Sequence, residues 1–126
     1  PDRIVIAPGD AHLTLAGHAD APIVRLDRTV SYSRCMPSLD PMFQSAANLF
    51  GPSAIAVVLT GMGRDGVQGA ARMIAAGGSV LAQEEGSSAV WGMPRAVLDA
   101  GLASAVMAPD YLARRVASRL GGEPCK

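Results

Sequence analysis

Ile55 to Gly77, IAVVLTGMGRDGVQGAARMIAAG, is the stretch whose reading decides the fold. An all-apolar run, Ile55 to Leu59, stops at Thr60. The glycine-rich hexapeptide Gly61-Met62-Gly63-Arg64-Asp65-Gly66 follows, and a small-residue helix pattern continues to Ala76. An exposed strand would alternate apolar with polar residues. This short, β-branched run does not, so it predicts a strand buried on both faces, as in a parallel sheet, followed by a tight turn and a helix.

Working outward, Gly77-Gly78 is a helix stop and Ser79 to Gln83 a second short buried strand. Glu84 to Ser88 is a polar loop. Pro94 then enters the first turn of a helix that continues to Ala100, Ala103 to Ala108 forms a last strand, and Pro109 to Leu120 a terminal helix. Strand and helix alternate here, which is the pattern of a parallel sheet with right-handed crossovers and makes the fold class α/β. Upstream, Ser38 or Asp40 caps a helix with Pro41 in its first turn; Leu39, Met42, Phe43, Ala46, Leu49 and Phe50 share its buried face, and Gly51-Pro52 ends it. Ile23 to Tyr32 alternates as a half-exposed strand pair or one bent strand. Arg3 to Ala7 and His12 to Leu15 flank Pro8-Gly9-Asp10-Ala11, which reads as an N-terminal β-hairpin.

With 126 residues, 49% of them apolar, the chain holds one domain with a core of its own, and zero formal net charge with no basic run argues against nucleic acid or an anionic membrane as partner. No apolar run approaches the ~20 residues of a membrane span, so no membrane insertion is expected. Cys35 and Cys125 fit no metal motif and read as free thiols in a cytoplasmic protein; no metal site is expected. The opening Pro1-Asp2-Arg3-Ile4 leads straight into an apolar run, which suggests a piece of something longer. Residues 1–120 are expected to form the domain and 121–126 a frayed tail.

Gly61 to Gly66 matches G-x-G-x-x-G between strand and helix, with Glu84 and Glu85 about 20 residues on, so one reading is a dinucleotide-binding module. Asp65 weighs against it, because a carboxylate at a helix N-terminus competes with pyrophosphate for the same N–H groups. A carboxylate held ionised there suits acyl transfer instead, where it orients a histidine and stabilises the imidazolium. The flanking glycines let backbone N–H groups, such as that of Met62, face a reacting oxygen. The plain alternative is that Asp65 only caps its own helix.

Four ordered segments carry a more specific resemblance: Ile6-Ala7-Pro8-Gly9 with His12-Leu13; Pro37-Ser38-Leu39-Asp40 leading to Phe43; Leu59-Thr60-Gly61-Met62-Gly63 with Asp65-Gly66; and Ala82-Gln83 with Glu85, then Gly92-Met93-Pro94. Together they resemble the C-terminal part of the catalytic domain of the CheB family, the chemotaxis protein-glutamate methylesterases that also deamidate receptor glutamines. The resemblance implies the C-terminal half of a doubly wound, mostly parallel αβα domain, a Ser-His-Asp mechanism with Asp65 as its aspartate, and an oxyanion donor at Met62 flanked by Gly61 and Gly63. It implies no cofactor. Its partners would be the cytoplasmic helices of methyl-accepting chemoreceptors, the upstream half of the same domain and, in the family, a response-regulator receiver domain. The family's serine, in a Gly-x-Ser-x-Gly-Gly turn, and its histidine have no matching segment here, so the chain alone is expected to be inactive. A catalytically silent interaction domain is a third reading.

Glu85 and Met93 are candidates for a substrate rim, since ligands of open α/β sheets lie beyond the C-terminal ends of strands. His12 falls near the cleft in the resemblance; a surface or hydrogen-bonded structural histidine is the reading preferred for it. Arg25, Arg28 and Arg34 are read as surface charge, and Trp91 and the six methionines as packing.

Overall fold

A computed structural model describes residues 3–120. Two antiparallel strands come first, β1 (His12–His18) and β2 (Ala21–Asp27), in register from His12↔Asp27 to His18↔Ala21. The expected hairpin is therefore present, but its arms lie further along the chain. Arg3 to Ala7 is not a strand, and Ile4 and Ile6 stand exposed. The reason is pairing: that segment has no ladder partner among the described residues, whereas His12–His18 and Ala21–Asp27 match in length across the Ala19-Asp20 turn. Val30 and Tyr32 lie beyond the end of β2.

Helix α1 (Leu39–Phe50) starts at the N-cap Ser38, whose Oγ accepts the Asp40 N–H at 3.0 Å. It buries Phe43 and Ala47, with Leu39, Met42, Ala46 and Phe50 packed against the same core. Asp40 in its first turn is buried as well, which the apolar periodicity did not show. A short 3₁₀ turn, Gly51–Ser53, then leads into β3 (Ile55–Val58), α2 (Val67–Ala75), β4 (Ser79–Gln83), α3 (Met93–Asp99), β5 (Ala105–Met107) and α4 (Pro109–Leu120).

The three later strands form a parallel sheet in the order β3-β4-β5. β4 is central and buried on both faces from Val80 to Gln83. β3 departs from expectation: it buries only alternate residues and Leu59 just beyond it is half exposed, and among the described residues it is an edge strand. One face of the sheet, with Ala56, Val58 and Val80, meets Phe43 and Ala47 of α1, Ala70 and Met73 of α2 and Val97 of α3. On the other face, Val57 and Leu59 border an apolar groove of about 430 Å³ whose far wall is Leu112, Ala113, Val116 and Ala117 of α4. The layers are thus helix, sheet, helix.

α1 and α2 approach closely at Gly69, where a Cβ would stand 2.7 Å from Phe43 Cβ and 2.9 Å from Asp40 Cα. The same glycine donates its N–H to Asp40 Oδ1 at 2.8 Å, tying the two helices by a polar bond inside an apolar contact. Among the described residues no helix is long and apolar enough to cross a membrane. The expected tail, residues 121–126, lies outside the described residues and includes Cys125; Cys35 is a free, exposed thiol.

Candidate active site

The loops beyond β3 and β4 are bound to each other by a short network. Buried Gln83, at the end of β4, accepts the Thr60 N–H on Oε1 at 2.7 Å and donates from Nε2 to Ser87 O at 2.9 Å. The Thr60 hydroxyl donates to Val90 O and accepts the Val90 N–H, at 2.9 and 2.8 Å. Gly61 donates to Val90 O and its carbonyl receives the N–H groups of Gly92 and Met93 at 3.1 and 2.8 Å. The hexapeptide is therefore held at its first residue. From Met62 to Arg64 it is exposed: Met62 is 82% exposed, and its N–H donates to none of the described residues. Gly63 and Gly66 adopt φ of 92° and 101°, the left-handed region that favours glycine.

Asp65 does not cap its own helix. Gly66 stands at the N-cap of α2 without a side-chain bond, and the Asp65 carboxylate is turned across to the start of α1. Its Oδ2 accepts the Leu39 N–H at 2.7 Å; its Oδ1 accepts the hydroxyls of Ser38, at 2.6 Å, and Ser33. The expectation that Asp65 serves the N-terminus of the helix that follows it is not met: its carboxylate takes donors at the N-terminus of α1 instead. Three donors from two segments hold one buried carboxylate, which fixes both its oxygens in space.

The chain that delivers those donors is itself tightly held. Arg34 has φ of 61°, a reversal that a non-glycine residue seldom adopts, and its N–H bonds to Ser31 O. Ser33 sits on this turn, where its Oγ also receives the Cys35 N–H. Ser38 is held from behind by His12, a fully buried residue of β1: the Ser38 N–H donates to His12 Nδ1 at 3.0 Å, and His12 Nε2 lies 2.8 Å from Thr29 O. A nitrogen that receives an N–H carries no proton, so the bonding assigns the neutral Nε2–H tautomer. Thr29 is fixed in turn by Asp27, which accepts its N–H and hydroxyl at 2.9 and 3.0 Å. Those two bonds, the backbone one foremost, hold the Asp27 carboxyl below the usual aspartate range. His12 is thus a hydrogen-bonded structural histidine, the identity expected for it.

Asp65 borders a cleft of about 530 Å³ whose other walls include Tyr32, Ser33, Asp40, Gly63 and Arg64. Burial pushes the Asp40 carboxyl up, opposed by the Gly69 N–H and reinforced by the nearby charge of Asp65. Asp40 already holds the Gly69 N–H at the start of α2 and the Asp65 carboxylate lines the same cleft, which makes a poor seat for pyrophosphate, so the G-x-G-x-x-G spacing here is shared strand-turn-helix geometry. Of the residues predicted for a rim, Glu85 is exposed on the turn after β4, and Met93 packs on the core with Sδ 2.7 Å from where a Gly61 Cβ would stand. Sequence reasoning named Ser38 only as a cap and did not find Ser33. Ser38 had the signal of its motif; Ser33 had none, because a left-handed arginine is not legible in a pattern.

Residues 1–116 match a family model described as CheB methylesterase. A protein-glutamate methylesterase/protein-glutamine glutaminase 2 of Caulobacter vibrioides is 48% identical over 120 residues, which cover 94% of this chain and 35% of that protein. A protein-glutamate methylesterase/protein-glutamine glutaminase of Rhodopseudomonas palustris is 42% identical over 123 residues, 98% of this chain and 32% of that one. The crystal structure of the Thermotoga maritima CheB methylesterase catalytic domain superposes with a TM-score of 0.82 at 33% identity, covering 86% of this chain and 58% of that chain. The chain spans about a third of the length of these curated relatives.

Proposed function

Because this chain belongs to the CheB methylesterase family, we propose that it supplies the aspartate and the oxyanion wall of a Ser-His-Asp esterase that hydrolyses glutamyl methyl esters on chemoreceptors. The observation that carries the reading is the setting of Asp65: a buried carboxylate, fixed by three donors, opening on a cleft beside a loop with a free backbone N–H at Met62. In this reading a serine and a histidine come from other residues of a longer protein, in which residues 1–120 are the later part of the catalytic domain. Two features support that arrangement: β3 has an unpaired edge among the described residues, and the groove between β3 and α4 is apolar.

The serine oxygen attacks the ester carbonyl while the histidine takes its proton. The resulting oxyanion receives the Met62 N–H, with Gly61 and Gly63 leaving the backbone free to approach. Collapse expels methanol, protonated by the histidine, and leaves a glutamyl-serine ester. Water, deprotonated by the same histidine, releases glutamate and restores the serine. Asp65 orients the imidazole and stabilises its cationic form throughout. A glutamine substrate would follow the same course with ammonia as leaving group, and no cofactor takes part. In this reading Glu85 and Met93 serve as the substrate rim, the substrate is a cytoplasmic receptor helix, and a receiver domain is a candidate regulatory partner.

The test is Asp65→Asn in the full-length protein. Methanol release should fall by roughly 10³–10⁴-fold with the fold retained, since the amide offers the imidazole the wrong hydrogen-bonding partner. Wild-type turnover in that variant would overturn the reading.

A further inference from the structure

His12 is fully buried, and the proposed mechanism does not use it. Both its ring nitrogens are engaged, each with the backbone of a different segment: Nε2–H with Thr29 O after β2, and Nδ1 with the Ser38 N–H at the start of α1. An apolar side chain would fill the same space and leave the Ser38 N–H buried without an acceptor, which costs more than the bond itself contributes. The Ser38 N–H belongs to the residue whose hydroxyl reaches Asp65 Oδ1, and the next N–H, from Leu39, reaches Asp65 Oδ2. One peptide turn therefore carries a donor to each carboxylate oxygen, and the imidazole acceptor behind it sets where that turn lies.

We propose that His12 is a positioning residue for Asp65: as a neutral imidazole accepting at Nδ1, it fixes the Ser38-Leu39 turn that holds the carboxylate. The chain of bonds runs from Asp27 through Thr29, His12 and Ser38 to Asp65. It spans the hairpin, the N-terminus of α1 and the hexapeptide turn, none of which is adjacent to the others in sequence. His12 does not line the cleft, so its influence should fall on the placement of Asp65 and not on substrate binding. The inference rests on the methylesterase reading above.

Substitutions at His12 in the full-length enzyme separate its two bonds. An asparagine oxygen can stand near the place of Nδ1 and accept the Ser38 N–H, whereas a glutamine amide nitrogen can stand near Nε2 and serve only Thr29. His12→Gln should lower kcat by roughly 10- to 100-fold with KM within about twofold, the size of effect that misplacing a catalytic group produces. His12→Asn should recover most of that loss. In an Asp65→Asn background His12→Gln should cost little more, because the two residues act through one carboxylate. In the unsubstituted protein, imidazole ¹⁵N and ¹³C shifts should show His12 as the Nε2–H tautomer at neutral pH, and this decides the matter where the variants do not fold. Any of four results overturns the proposal: unchanged kcat in His12→Gln, no advantage of Asn over Gln, multiplied losses in the double variant, or an Nδ1–H or doubly protonated ring. A silent Asp65→Asn would instead overturn the esterase reading itself.

Discussion

Asp40 and Asp65 face the same cleft with opposite tasks. Asp65 is held by two hydroxyls and an N–H at the start of α1, while Asp40 spends one oxygen on the Gly69 N–H and is buried between two helices. Burial, helped by the charge of Asp65, raises the Asp40 pKa above its ordinary value of 3.8. The folded protein then keeps a proton that the unfolded chain has already released, so stability falls as pH rises through the interval between 3.8 and the raised value. Asp40→Asn retains an oxygen for Gly69 and removes that slope; urea unfolding between pH 4 and 7 should find it at least as stable as wild type at neutral pH. Asp40→Ala should cost roughly 1–3 kcal/mol, because the Gly69 N–H loses its buried acceptor.

Between elements, two glycines do different work. Gly69 lets α1 and α2 touch, and the atoms its Cβ would meet are Phe43 Cβ and the Asp40 backbone, none of them at the end of a flexible side chain. Gly92 lies against the hexapeptide turn, where a Cβ would stand 2.7 Å from Gly61 O and 3.0 Å from Gly63 N. Gly69→Ala should therefore destabilise by about 1–3 kcal/mol or more, read as a lower denaturation midpoint. Gly92→Ala should act on the loop carrying the Met62 N–H. In the full-length enzyme it should lower kcat by about tenfold or more, the scale of losing part of one oxyanion donor, with a smaller loss of stability than Gly69→Ala.

For the whole molecule, exposed apolar side chains include Ile4, Val5 and Ile6 ahead of β1 and Val30 and Tyr32 after β2, and two further groups lie on paired strands and helices. One is the groove between β3 and α4, lined by half-buried Val57 and Val116 with Leu59 and Leu120 exposed; the other is β2, with Ile23, Val24 and Leu26 exposed. A strand edge beside an apolar groove invites pairing. The isolated 126-residue chain should self-associate in sedimentation velocity, and the longer protein should not. A well-behaved monomer of the isolated chain with a sharp thermal transition would contradict this.

Periodicity and punctuation were enough to locate α1, β4, α3 and α4 and the strand-turn-helix about Gly61, because those depend on interactions within a few residues: caps, glycine stops and one buried face each. The ordered motifs also pointed to the esterase family and to Asp65. Pairing was decided only in three dimensions. Among the described residues Arg3–Ala7 has no partner strand and His12–His18 does, and β3 is an edge although its composition suits a sheet interior. The setting of Asp65 belongs to the same class. Local sequence puts a carboxylate after a glycine turn, and the nearest helix is its own. Tertiary packing brings the start of α1, with Ser33, Ser38 and the imidazole behind them, within reach of that carboxylate. A side chain takes the donors that packing presents to it, and those come from residues more than twenty positions away, beyond the reach of any local pattern.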